Sequence, residues 1–378
     1  MAGIPTTSLV AFRSAVPRWM SSSSGRPRPT HQIRTDGIVP PTCSGRILSD
    51  AEHMNSLDVT QIPRGEKQTG WLDVAPKPEG SLWRLPYLFV AGESDGPTLV
   101  VTAGVHGDEY EGIEAIPRVH RSTQPADLSG TLVMVPVCNV PAFEAITRNS
   151  PIDGLNLARV FPGDASGSIT QRIADVIATN LLPHADYYID LHSGGMMYDI
   201  PTLAGYIHDD SEIGRRSRAG AEAFGAPVLW GHPLPLAPGR TISSAAEQGV
   251  PCLYTEAAGG GYAREEDVIS FEQGVNNIMK WMDMLEGSAP SSRPAHHLVG
   301  NGNIDQAILA PSAGMFRPEV QLLEEVSEGQ LLGTIQDLFG EMVDEIRATA
   351  SGVVIMLRRF HRVRVGDGLA HITQRLAG

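Results

Sequence analysis

The stretch TLVVTAGVHGDEYEGIEAI, Thr98 to Ile116, decides how this chain reads. Thr98 to Gly104 is a short β-branched run ending in glycine, the pattern of a buried strand. From Glu111 onward EGIEAIPRVHR reads as a short helix. Between them lies GVHGDEYEG, with one histidine and three carboxylates in nine residues. A turn that carries so many metal-binding and proton-binding groups after an apolar strand marks a candidate site.

Outward from that stretch the alternation repeats. Strands are expected at TLVMVPVCN (Thr131 to Asn139), DYYIDLH (Asp186 to His192), APVLWG and PCLYTEA, and SLWRLPYLFVAGE reads as a strand pair. Helices are expected at SITQRIADVIATNLL with Ser168 as N-cap, at EIGRRSRAGAEAFG closed by Gly225, at TISSAAEQ and at DVISFEQGVNNIMKWMDML. Short apolar strands alternating with helices predict an α/β domain with a mixed, mostly parallel sheet flanked by helices. In such sheets ligands sit at the carboxyl ends of the strands. GVHGDE, DLHSGG and TEAAGGG each close a predicted strand, and their glycines allow backbone to approach a ligand.

The expected organisation has four parts. Residues 1–55 form an N-terminal extension, disordered or targeting. The first 35 residues have no acid, five arginines and the run Ser21 to Ser24, a composition that fits an organelle transit peptide or a disordered tail. Residues 56–286 form the catalytic domain. Residues 287–297, with SAPSSRPAHH, form a linker, and 298–378 form a small all-β module of short strands between glycine turns. That module has no lysine, which excludes lipoyl or biotin attachment.

Composition narrows the function. The chain has 378 residues, is 42% hydrophobic and carries a formal net charge of -14. That charge argues against nucleic acid as partner. No apolar run approaches the roughly 18 residues of a membrane span. Cys43, Cys138 and Cys252 are widely spaced, so neither a disulfide framework nor a cysteine zinc knuckle is expected. The compartment is expected to be cytoplasmic, with organelle targeting as the alternative. Oligomerisation is left open.

His106 and Glu109 are three residues apart, a spacing that puts both side chains on the same side of one helical turn. Imidazole and carboxylate both suit zinc, and catalytic zinc takes three protein ligands. Asp108 and Glu111 compete with Glu109, and His192 is the best third ligand. Asp190, two residues earlier on the same strand face, either orients an imidazole or meets a helix end or solvent. Glu256 is either the base that hydrolysis needs or a rim glutamate. Arg148, Asp153, Asn156 and Arg159 lie in the loop TRNSPIDGLNLARVFPG, and its arginines suit a carboxylate or an oxyanion. Tyr198 and Arg240 are further candidates for the pocket.

Taken in order, GVHGDEYEG, RNSPIDGLNLARVFPG, DLHSGG and TEAAGGG resemble the succinylglutamate desuccinylase/aspartoacylase family, related in fold to the zinc carboxypeptidases. The motif forms are most similar to its N-acetyl-diaminobutyrate deacetylases. The resemblance covers roughly Gly70 to Leu285, and the β module is similar to one that members carry. It implies one Zn2+ per subunit held by His106, Glu109 and His192. It implies Glu256 as general base, Arg148 at the scissile carbonyl and Arg159 at the substrate carboxylate. It departs at Ala158, where the family has asparagine. The loss is a hydrogen bond to a charged group, roughly 1.5–3 kcal/mol, with Asn156 as a substitute contact to substrate. The implied activity is hydrolysis of the amide bond of an N-acylated amino acid or related small amine. The alternatives are a zinc carboxypeptidase acting on peptides and a non-catalytic binding protein on the same scaffold.

Overall fold

The structure, a computed structural model, describes residues 57–290, 293–303 and 306–376. The expected extension, 1–55, lies outside the described residues, as do residues 291 and 292 of the expected linker. In chain order the first part runs β1 (Lys67–Pro76), β2 (Leu82–Ala91), β3 (Ser94–Ala103), α1 (Glu111–Ser122), β4 (Ser129–Val135), α2 (Val140–Ala145), α3 (Ile169–Asn180) and β5 (Tyr187–Leu191). It continues through β6 (Tyr198–Asp199), β7 (Leu203–Ile207), α4 (Glu212–Phe224), β8 (Val228–His232), α5 (Thr241–Glu247), β9 (Cys252–Glu256) and α6 (Glu265–Trp281). The second part is β10 (His296–Val299), β11 (Ile308–Leu309), β12 (Gly314–Pro318), β13 (Glu325–Val326), β14 (Leu331–Gln336), β15 (Met342–Arg347), β16 (Gly352–Arg358), β17 (Arg362–Val363) and β18 (Gly368–Arg375).

The large sheet has the order β1-β2-β4-β3-β5-β9-β7-β8-β10-β18-β16-β13. β4, β3, β5 and β9 run parallel, and β7 reverses direction beside β9. The sheet continues across the proline- and serine-rich segment, because β10 pairs parallel with β8 and antiparallel with β18. β15-β14-β12-β17 form a separate antiparallel sheet.

Side chains alternate across the sheet, as the strand period of two requires. Leu99, Val101 and Ala103 of β3 and Tyr187, Ile189 and Leu191 of β5 join one core with α1, α4 and α6. Val100 and Tyr188 face the other way, into a core shared with α3 and α5. Burial of each such side chain is worth about 1.5–3 kcal/mol. β3 and β5 are covered on both faces, which explains why apolar residues predominate at successive positions of Leu99–Ala103 and Tyr187–Leu191. Cys138 and Cys252 are buried free thiols within the second core.

Two expectations need correction. SLWRLPYLFVAGE is a single strand, β2, not a strand pair, and its partner is the unexpected β1. Pro86 within it is tolerated because β4 pairs only with Leu88 to Ala91, so β2 has a partner on one side alone at Pro86. The second difference is local. His106 and Glu109 precede α1, on a turn closed by the Glu109 N–H on His106 O at 3.4 Å.

Candidate metal and catalytic site

β3, β5 and β9 are adjacent and parallel, so the segments after them emerge side by side at one edge. That brings together His106 after β3, His192 after β5 and Glu256 at the end of β9. Among the described residues, His106, Glu109 and His192 form a buried group whose ligating atoms all lie within 4.8 Å of one another. Glu109 Oε1 stands 2.7 Å from His106 Nδ1, and its Oε2 stands 2.9 Å from His192 Nδ1.

The outer ring nitrogens fix the tautomers. Asn156 Oδ1 accepts the Ala158 N–H at 2.9 Å, which sets the orientation of the amide. The same oxygen lies 3.0 Å from His106 Nε2, so that nitrogen is the donor. On the other ring, Nε2 of His192 lies 2.9 Å from Asp190 Oδ2. Asp190 is fully buried and also accepts the hydroxyls of Thr102, at 2.8 Å, and Thr241. Asp190 thus orients the His192 imidazole and also meets a helix end, at Thr241, the first residue of α5.

The consequence is electrostatic. Burial first, then the Arg148 charge, push the pKa of His106 down to about 4. A neutral His106 that donates from Nε2 turns its Nδ1 lone pair toward a carboxylate. Burial opposes ionisation of Glu109, yet the two imidazoles outweigh it and hold its pKa well below the ordinary value. His106 Nδ1 and Glu109 Oε1, 2.7 Å apart, are both satisfied by a proton or by a shared metal cation between them. Burial also opposes charge on His192, but Asp190 and Glu109 hold its pKa well above the usual value. Two imidazole nitrogens and a carboxylate are a donor set that zinc accepts.

A cleft opens on this group, lined by His106, Arg148, Ala158, Arg159, Asp190, His192, Ile200, Trp230, Arg240, Thr241, Ile242, Tyr254, Glu256, Gly302, Ile355 and Met356. Arg148 donates to Glu109 Oε1 at 2.9 Å. Arg159 Nη1 donates to Ala158 O, and Arg240 donates to Gly302 O and Asn303 Oδ1. Burial first, then the Glu109 charge, raise the pKa of Glu256 to about 8, and its buried Oε2 has no hydrogen-bond partner. Such a carboxylate is a strong base poised near neutral pH.

Other candidates lie elsewhere. Asn156 does not line the cleft, and its side-chain oxygen is turned to His106 and Ala158. Tyr198 packs against Arg358 instead of lining the cleft. Asp108 accepts the Met196 N–H at 3.0 Å and takes no part in the His–Glu–His group. Glu111 begins α1 outside that group. The glycines serve backbone packing more than ligand approach. A Cβ at Gly107 would meet the carbonyl carbon of Ala142 at 2.1 Å, and one at Gly259 would meet Gly195 O at 2.6 Å. Trp230, Thr241, Tyr254, Ile355 and Met356 were not expected in the site. Thr241, at the start of TISSAAEQ beside the candidate Arg240, had a local signal, but the others read as ordinary strand residues.

An α/β core that gathers two imidazoles, carboxylates and arginines at one sheet edge has the make-up of a hydrolase site. The chain belongs to the succinylglutamate desuccinylase/aspartoacylase family. A model of that family, described as the succinylglutamate desuccinylase/aspartoacylase catalytic domain, matches residues 95–282. The N-alpha-acetyl-L-2,4-diaminobutyric acid deacetylase of Halomonas elongata is 34% identical over 313 residues, 81% of this chain and 91% of the relative. The crystal structure of a succinylglutamate desuccinylase from Silicibacter sp. TM1040 has a TM-score of 0.76 at 30% identity, covering 84% of this chain and 98% of that one. The product-bound ectoine utilization protein EutE from Ruegeria pomeroyi has a TM-score of 0.76 at 29% identity, covering 83% and 97%.

Proposed function

We propose that this protein is a zinc-dependent deacylase that hydrolyses the amide bond of an N-acylated amino acid, with one zinc per chain. The observation that carries the proposal is Glu256, a buried carboxylate with an unpartnered oxygen in the same cleft as the His–Glu–His group. Membership of the family and likeness to the Halomonas deacetylase support it.

His106, Glu109 and His192 would hold the metal, with Asn156 and Asp190 fixing the two rings from behind. Zinc would supply Lewis acidity toward the carbonyl and bring the pKa of water near neutrality. Glu256 takes the proton of the attacking water and passes it to the leaving nitrogen. Arg148 stabilises negative charge on the carbonyl oxygen, and Arg159 pairs with the substrate carboxylate. Asn156 is assigned to His106 instead of to substrate. A small substrate is favoured over a peptide because Ile355 and Met356 of β16 wall the cleft.

The test pairs metal analysis with turnover. Purified protein is expected to hold one equivalent of zinc and to release acetate from N-acetyl amino acids. A chelator is expected to stop the reaction and added zinc to restore it. Stoichiometric zinc with cleavage of dipeptides alone would move the assignment to a carboxypeptidase. Absence of both metal and turnover would leave a binding protein.

A further inference from the structure

We propose that the cleft selects an N-acyl amino acid whose side chain is uncharged and apolar, and that Ile355 and Met356 of β16 make the selection. The proposal rests on the deacylase reading above.

β16 pairs antiparallel with β18, and the register slips once along it. Val354 stands opposite Ile372 and Met356 opposite His371, so Ile355 has no partner across the ladder. In an unbroken strand, neighbouring side chains face opposite ways. A bulge of this kind re-aims side chains locally. Ile355 and Met356 accordingly both line the cleft. They share a hydrophobic cluster with Ile200 and Trp230, which line the same cleft. These four side chains form one continuous apolar wall.

The arginines meet this wall. The Phe161 N–H donates to Gly239 O at 3.1 Å, which binds the loop of Arg159 to that of Arg240. Arg240 Nη1 donates to Gly302 O at 3.1 Å. Gly302 backs onto the His232 ring so closely that an added Cβ would lie 2.5 Å from it. The His232 ring stands 4.7 Å from that of Trp230. Arg159 and Arg240 line the same cleft as this wall, and Arg240 is linked to Trp230 through Gly302 and His232. An amino acid carries carboxylate and side chain on one carbon, so a substrate held by its carboxylate turns its side chain to that wall.

Among the described residues, a cationic side chain would find no uncommitted carboxylate in the cleft lining. Among the described residues, Asp190 and Glu256 are the carboxylates lining the cleft. Asp190 is engaged by His192, Thr102 and Thr241, and Glu256 is assigned to proton transfer. An ammonium buried without a counter-charge is strongly disfavoured.

Two near-isosteric amides test this. N-acetyl-L-norvaline ends its side chain in a methyl group where N-alpha-acetyl-L-2,4-diaminobutyrate has an ammonium. With the zinc-loaded full chain, kcat/KM is expected to be about tenfold or more higher for the norvaline compound. Equal or better turnover of the diaminobutyrate compound overturns the proposal. So does a larger gain from lengthening the acyl group, acetyl to butyryl, than from extending the side chain from glycine to norvaline. Met356→Glu is expected to shift the ratio of the two amides toward the cation. If neither amide is cleaved, the deacylase reading fails, and calorimetry with free L-norvaline and L-2,4-diaminobutyrate decides the subsite separately. Tighter binding of norvaline then supports the wall, whereas tighter diaminobutyrate, or binding of neither, overturns it.

Discussion

Asn156 Oδ1 stands 3.0 Å from His106 Nε2, fifty residues away in the chain. The contact makes Nε2 the donor and leaves Nδ1 to face Glu109. Losing a partner of this type behind a metal-binding imidazole typically lowers metal affinity about 10–100-fold. Asn156→Ala is expected to do so in chelator competition. Asn156 also caps the turn at Leu157–Arg159, so Asn156→Ser, which retains a capping oxygen, is the better control. Undiminished affinity in both variants would remove Asn156 from this role.

Glu256 and the metal ligands are separable. Glu256→Gln keeps the volume of a side chain outside the His–Glu–His group and removes its basicity. It is expected to retain zinc and lose about 10²–10⁴-fold in kcat. His106→Ala is expected to lose the metal itself. Near-normal turnover by the glutamine variant rules Glu256 out as the base.

Ala158 lines the cleft beside Arg159. Ala158→Asn restores a neutral donor for the substrate carboxylate. At roughly 1.5–3 kcal/mol for a hydrogen bond to a charge, KM is expected to fall by about tenfold with kcat little changed. A KM that stays constant or rises places the carboxylate elsewhere, or shows that the added volume strains the loop.

His232 and His371 bear on stability. Burial pushes both pKa values down to about 4, from an ordinary value of 6.5. Both rings are neutral in the fold and take up protons when the chain unfolds below pH 6.5. Their contribution is complete above that pH and is lost as pH falls toward 4, by up to about 3 kcal/mol for the fully buried His232. Urea midpoints at pH 7 and pH 4.5 measure the loss. His232→Gln is expected to shrink it, and an unchanged slope means His232 is not the group responsible.

The positions of the candidate ligands and of Glu256 were legible because each closes or follows an apolar strand by at most a few residues. His106, His192 and Glu256 sit where a parallel strand ends, and strand ends leave a local pattern of apolar run, polar group and glycine. Asn156 was expected beside the substrate, and its contact with His106 was not legible, since no spacing rule connects residues 156 and 106. The continuity of β2 through Pro86 was hidden for a similar reason. Whether a proline breaks a strand depends on which sides of that strand are paired, and only the neighbouring strands settle this.

The amino-acid sequence alone determined the α/β class, the family, and the three strand ends that carry imidazole and carboxylate. These follow from periodicity and short spacing, which act within a single element. The folded structure alone decided the tautomer of His106, the burial that lifts Glu256, and the β16 bulge that turns two apolar side chains into the cleft. Those depend on strand order and register, where residues far apart in the chain become neighbours.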